Sequence, residues 1–128
     1  MSANDALARR RILVVEDEAT VSLMLDDLLT AAGAIVIGPA ADAATALALI
    51  DAEPIDGAVV DYALVDGTSL PVADALLARG IPFLFASGYD ARAMDVRYAH
   101  VPRLEKVYTP EELLRRLENV LAADTRSP

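Results

Sequence analysis

Several side chains with chemistry to offer stand directly after short strand-like runs of this sequence. Glu16 and Asp17 follow ILVV, Asp61 follows GAVV, Ser87 follows PFLFA, and Lys106 follows the more polar VPRLE. In an open parallel sheet, ligands bind outside the carboxyl ends of the strands, so three carboxylates, a hydroxyl and an ammonium would meet at one edge. Crowded carboxylates repel one another unless a cation sits between them, and an all-oxygen set selects a hard ion such as magnesium. One carboxylate of such a site can also attack a phosphoryl group, because the metal neutralises the incoming oxygens and aligns attacker with donor. Asp61 is the candidate nucleophile. Lys106 would balance phosphoryl charge, and the Ser87 hydroxyl would donate to a phosphoryl oxygen.

Taken singly, each of these residues has an ordinary reading. An isolated acidic pair is usually a solvated strand end, an aspartate after a strand is usually a turn former, Ser87 before Gly88 reads as a plain turn, and Lys106 as a surface lysine. It is the set, with every member at a strand end, that points to chemistry. His100, the only histidine, has no partner histidine and is read as a loop residue. Phe83 and Phe85 alternate on a strand, the spacing of core packing.

The elements that would position these residues alternate short apolar runs with segments of helical period, the pattern of strand-helix units around a parallel sheet. Ile12 to Val15 is a continuous apolar run of the kind needed when both faces of a strand are buried. A helix from Ala19 to Ala32 would turn Val21, Met24, Leu25, Leu28 and Ala32 inward and Ser22, Asp26, Asp27 and Thr30 to water, with Gly33 ending it. Ile35 to Ile37 is the second strand. Asp42 can cap a helix to about Asp51, with Ala43, Ala46, Leu47 and Ile50 inside. Gly57 to Val60 is the third strand, followed by the loop LVDGTS and a helix from about Leu70 to Arg79 that stops at Gly80. Ile81 to Phe85 is the fourth strand, the stretch from Asp90 to Tyr98 is weakly helical, and VPRLE is a poor fifth strand. Thr109, Pro110 and Glu112 form a capping box, and Leu113, Leu114, Leu117, Val120 and Leu121 face inward on the last helix. The expected organisation is an N-terminal tail over 1–9, one folded domain over 10–123 and a C-terminal tail over 124–128.

Composition narrows the function. The 128 residues suffice for one domain with a proper core, and 55% hydrophobic against 24% charged residues is the balance of a packed globular protein. A net charge of −9 repels nucleic-acid backbones and argues against a nucleic-acid partner. Without cysteine there is no disulfide or thiolate site. No segment reaches the roughly 18 apolar residues of a membrane span, so a cytoplasmic protein without a membrane partner is expected.

The segments ILVVEDE, VVDYALVDG, PFLFASGY and EKVYTPEEL occur in the order of the receiver (CheY-like) domain of bacterial response regulators, which the chain resembles over roughly residues 10 to 122. The resemblance implies a (βα)5 flavodoxin-like fold, a five-stranded parallel sheet of order 2-1-3-4-5 with helices on both faces. It implies that Asp17 binds magnesium directly and Glu16 through water, that Asp61 is the phosphoacceptor, and that the backbone carbonyl of Ala63 is a further metal ligand. The family's hydroxyl maps to Ser87 and its lysine to Lys106. By the same resemblance the phosphoryl donor is a sensor histidine kinase or phosphotransfer protein, and the output is altered binding of a downstream protein through a face within 89–121. The chain would then be no enzyme beyond its own phosphorylation and dephosphorylation.

Two positions depart from the family pattern. Lys106 is followed by Val107 where most receivers carry a cis proline, and a cis bond before another residue costs about 3 kcal/mol. Arg103 occupies the position of the usual switch aromatic; FASGY resembles the F-A-T-G-Y-like motif of single-domain regulators that also lack it. Tyr89 is the expected moving part in its place. Competing functions are a pseudo-receiver that binds without phosphorylation and a metal-dependent phosphohydrolase or nuclease. The haloacid dehalogenase pattern needs an aspartate two after the first and finds Ala19 after Asp17, and the Toprim D-x-D fails at Asp61-Tyr62-Ala63.

Overall fold

The structure, a computed structural model, describes residues 7–64, 67–87, 101–105 and 108–122. Its elements are β1 (Arg11–Val15), α1 (Ala19–Ala31), β2 (Ile35–Ala40), α2 (Ala43–Ala52), β3 (Gly57–Asp61), β4 (Ala63–Leu64), β5 (Gly67–Thr68), α3 (Leu70–Ala78), β6 (Phe83–Ser87), β7 (Arg103–Glu105) and α4 (Pro110–Ala122). Five strands form one parallel sheet in the order β2-β1-β3-β6-β7, the expected 2-1-3-4-5 with β6 and β7 as its fourth and fifth strands. β4, formed by Ala63 and the first residue of LVDGTS, and β5 within LVDGTS make a separate antiparallel pair where a plain loop was expected.

Side chains alternate along each strand, so one run of apolar residues feeds two cores. Leu13, Val15 and Val60 join Phe83 and Phe85 under α2 and α3, whose Ala46, Ile50, Val72 and Leu76 are buried there. Ile12, Val14, Val59, Leu84 and Leu104 face the other way, against Leu25 and Leu29 of α1 and Leu113 and Leu117 of α4. Leu7, upstream of β1, is fully buried in this second core. Phe83 and Phe85 are core residues as expected, ring edge to ring face at 5.2 Å.

Helix ends follow the sequence closely. α1 and α3 close on Gly33 (φ 91°) and Gly80 (φ 69°), and the next N–H reaches back, Ala34 to Leu29 O and Ile81 to Leu76 O. The Asp42 carboxylate accepts from Thr45 N at 2.7 Å. Thr109 and Glu112 exchange side-chain and backbone bonds of 2.9 and 3.1 Å, the expected capping box. These backbone N–H bonds hold both carboxyls below their usual range.

Three expectations are corrected. The fourth long strand begins at Phe83 and not Ile81, because the Ile81 N–H serves the end of α3 and Pro82 has none to give. β2 continues to Ala40 rather than stopping at Ile37, since an edge strand tolerates Pro39. On α1, Met24 is 39% exposed and Leu29 is buried in its place. The stretch from Asp90 to Tyr98, with Tyr89, His100, Lys106 and Val107, lies outside the described residues, as do positions 1–6 and 123–128.

Candidate metal centre

β1 and β3 pair in register from Ile12 with Gly57 to Val15 with Val60, so both strands end at the same height. They also lie where the strand order reverses, β2 to one side and β6 to the other, which is where doubly wound sheets open a crevice beyond their carboxyl ends. Glu16 and Asp17 leave β1 at this point and Asp61 closes β3. One carboxylate oxygen from each lies within 4.8 Å of the others. Glu16 is 2% and Asp61 6% exposed, while Asp17 is half-buried.

The two loops that carry these acids are held by their own bonds. Glu16 N donates to Ala40 O of β2 at 2.9 Å, and the Glu16 carboxylate accepts from Glu18 N at 3.1 Å. Ser22 Oγ donates to Glu16 O at 3.2 Å, so Ser22 turns back onto the loop and is not simply a water-facing residue of α1. After Asp61, Tyr62 N donates to Ala86 O of β6 at 3.0 Å, and the half-buried Tyr62 ring stands edge-on to Phe85 at 5.9 Å. Tyr62 O accepts from both the N–H and the hydroxyl of Ser69. Ser22 and Ser69 are the contributors that sequence reading missed. A serine one turn into a helix, or just before one, gives no signal that its hydroxyl will point back at a loop.

The remaining expected site residues fall as follows. Ala63 lies in β4, its backbone opposite Thr68 of β5. Ser87 ends β6 with its backbone beside Glu105 of β7, one residue beyond the pairing of Asp61 with Ala86. Lys106 is the next residue after β7 and lies outside the described residues.

Three carboxylates crowded in a partly dry crevice fit a hard divalent cation. Oxygens around one octahedral magnesium lie about 3–4 Å apart, and oxygens within 4.8 Å of one another can close on such an ion directly or through a water. Among the described residues this is the one group of acids so arranged. No helix among them is long and apolar enough to cross a membrane.

No protein-family model and no curated sequence matches the chain. Solved structures do. The chain is 37% identical to SdrG from Sphingomonas melonis Fr1, over 96% of this chain and 100% of that one, with a TM-score of 0.77. The BeF3-activated conformation of SdrG, from Pseudomonas melonis Fr1, matches at 38% identity over 89% and 98%, with a TM-score of 0.75. A response regulator receiver protein from Sinorhizobium medicae WSM419 is 25% identical over 91% and 97%, with a TM-score of 0.78. The receiver domain of the sensor histidine kinase PA1611 from Pseudomonas aeruginosa PAO1, solved with magnesium in its active-site cleft, shares the fold at 20% identity over 91% and 100%, with a TM-score of 0.79.

Proposed function

Because the chain belongs to the receiver domains of response regulators, we propose that it accepts a phosphoryl group on Asp61 and signals through the protein contacts that this changes. The observation that carries the reading is the meeting of Glu16, Asp17 and Asp61 where the strand order reverses. The receiver domain of PA1611 holds magnesium in its cleft, and SdrG has a BeF3-activated conformation, which supports by likeness a magnesium site and a distinct activated state.

Asp17, Asp61 and the backbone carbonyl of Ala63 would hold the ion, Glu16 contributing through water. Bound there, magnesium would supply positive charge against the phosphoryl oxygens. A carboxylate oxygen of Asp61 attacks the phosphorus of a phosphohistidine, a new O–P bond forms as the P–N bond breaks, and the imidazole leaves with the electron pair and takes up a proton. Asp61 is suited to the attack because β3 fixes its backbone and the buried walls keep bulk water from the acyl phosphate. Ser87 would donate to a phosphoryl oxygen and Lys106 would offset its charge. The donor is a sensor histidine kinase or phosphotransfer protein, and the output is a downstream protein bound through the 89–121 face. On this reading the chain works as a cytoplasmic signalling module, not as an enzyme on other substrates.

Incubation with acetyl phosphate or phosphoramidate and magnesium, followed by intact mass, tests the reading. One added phosphoryl group is expected on the native chain and none on Asp61→Asn. Labelling of the variant at the native level would move the acceptor elsewhere. No labelling of the native chain, with magnesium bound or not, would favour a module that binds its partner without phosphorylation.

A further inference from the structure

Ser69 precedes α3 at the position where a serine ordinarily points its oxygen at the first free N–H groups of a helix. It makes no such side-chain bond here. Its side chain turns the other way, and Oγ donates to Tyr62 O at 3.1 Å while its own N–H donates to the same oxygen at 2.9 Å. The residue is 0% exposed, so no water competes for this carbonyl from the Ser69 side. A buried hydroxyl has to find a partner, and the one it has is in the loop that leaves Asp61.

Tyr62 is thereby gripped from two sides. Its N–H is fixed to Ala86 O of β6 and its C=O to Ser69. The Asp61–Tyr62 peptide, held by its N–H, and the Tyr62–Ala63 peptide, held by its C=O, both lose freedom to rotate, which restricts the backbone that carries the Asp61 side chain on one side and leads to the Ala63 carbonyl on the other. Both are metal ligands in the reading above, on which this inference rests. We infer that Ser69 is a positioning residue of the metal centre, its hydroxyl setting the orientation of the 62–63 peptide and so the affinity of the site for magnesium. Groups that orient metal ligands from behind typically change affinity by about 10- to 100-fold when removed.

Calorimetric titration with magnesium chloride, beside thermal denaturation without metal, distinguishes positioning from simple loop closure. Ser69→Ala should bind magnesium about tenfold more weakly, Ser69→Thr should recover most of the loss by restoring a hydroxyl, and Thr68→Ala, an exposed neighbour in β5, should bind as the native chain does. Ser69→Cys keeps the size of the side chain with a weaker donor, and should fall between native and Ser69→Ala; it carries the comparison if the alanine variant does not fold. Native affinity in Ser69→Ala or Ser69→Cys, with only a lower melting temperature, would overturn the inference and leave the acidic site standing. Failure of the native chain to bind magnesium would instead remove the reading on which it rests, and the inference with it.

Discussion

The two ends of the carboxyl edge are built differently. β1 and β3 each have a strand on both sides and a core on both faces, so the acids that follow them sit on backbone fixed from four directions. β7 is three residues long, lies at the margin of the sheet, buries Leu104 and exposes Arg103. It is tied to α4 by Arg116, whose guanidinium donates to Arg103 O at 2.6 Å. The acidic half of this edge is therefore held in place by packing, whereas the strand leading to Lys106 rests on few contacts. Segments with few buried contacts open at the smallest cost, so a change of state is most easily accommodated on the β7 side.

Truncations should rank accordingly. Ile12→Ala is expected to cost about 3–4 kcal/mol and Leu104→Ala about 2, because the marginal strand can collapse over its cavity while the central one cannot. Urea denaturation measures both, and equal losses would erase the distinction drawn above. Arg116→Ala removes one charge-assisted bond at an exposed site and should cost at most about 1 kcal/mol globally. Its signature is local: faster amide exchange in 103–105 with β3 unchanged. Faster exchange across the whole sheet would mean that β7 opens only with the rest.

The smallest expected effect concerns acid. The carboxyls of Asp42 and Glu112 are held low by the backbone N–H groups of Thr45 and Thr109, and the two caps serve helices on opposite faces. A carboxyl depressed in the folded state stabilises it above the ordinary carboxylate range, and that contribution disappears as pH falls through the depressed value. Asp42→Asn keeps an acceptor at the cap without the titration. It should flatten the acid limb of a melting-temperature profile slightly, as should Glu112→Gln, with no change in the ranking of Ile12 and Leu104. A steeper acid limb in either variant would contradict the sign.

What could be read from the sequence was read where one demand dominates. β1 and β3 are buried on both faces, so their runs are continuously apolar, and the acids that end them meet at the strand ends where the sequence put them. Asp42, Gly33, Gly80 and the Thr109–Glu112 box act within a few residues of themselves, and pattern reading finds such local devices. The failures are residues whose role is decided at a distance. Ile81 looks like strand and completes a helix end. Leu7 lies in MSANDALARRR, whose charge says nothing of the core it enters. Met24 and Leu29 both fit a helical stripe, and packing chose the second. Ser69 reads as a loop serine because the carbonyl it grips is seven positions back. The small β4 and β5 pair has too few residues to show any period.

Both margins of the sheet carry a further safeguard. An open strand edge is a template on which another chain can pair. On β2 the ring of Pro39 removes a donor and Gly38, at φ 98°, bends the strand. On β7 Pro102 O is used by Phe85 N, which leaves Arg103 O facing outward, and that is the oxygen that Arg116 covers. Among the described residues both sheet margins are thus guarded against strand addition, which favours association through side chains and helices, contacts that can be selective and can be undone.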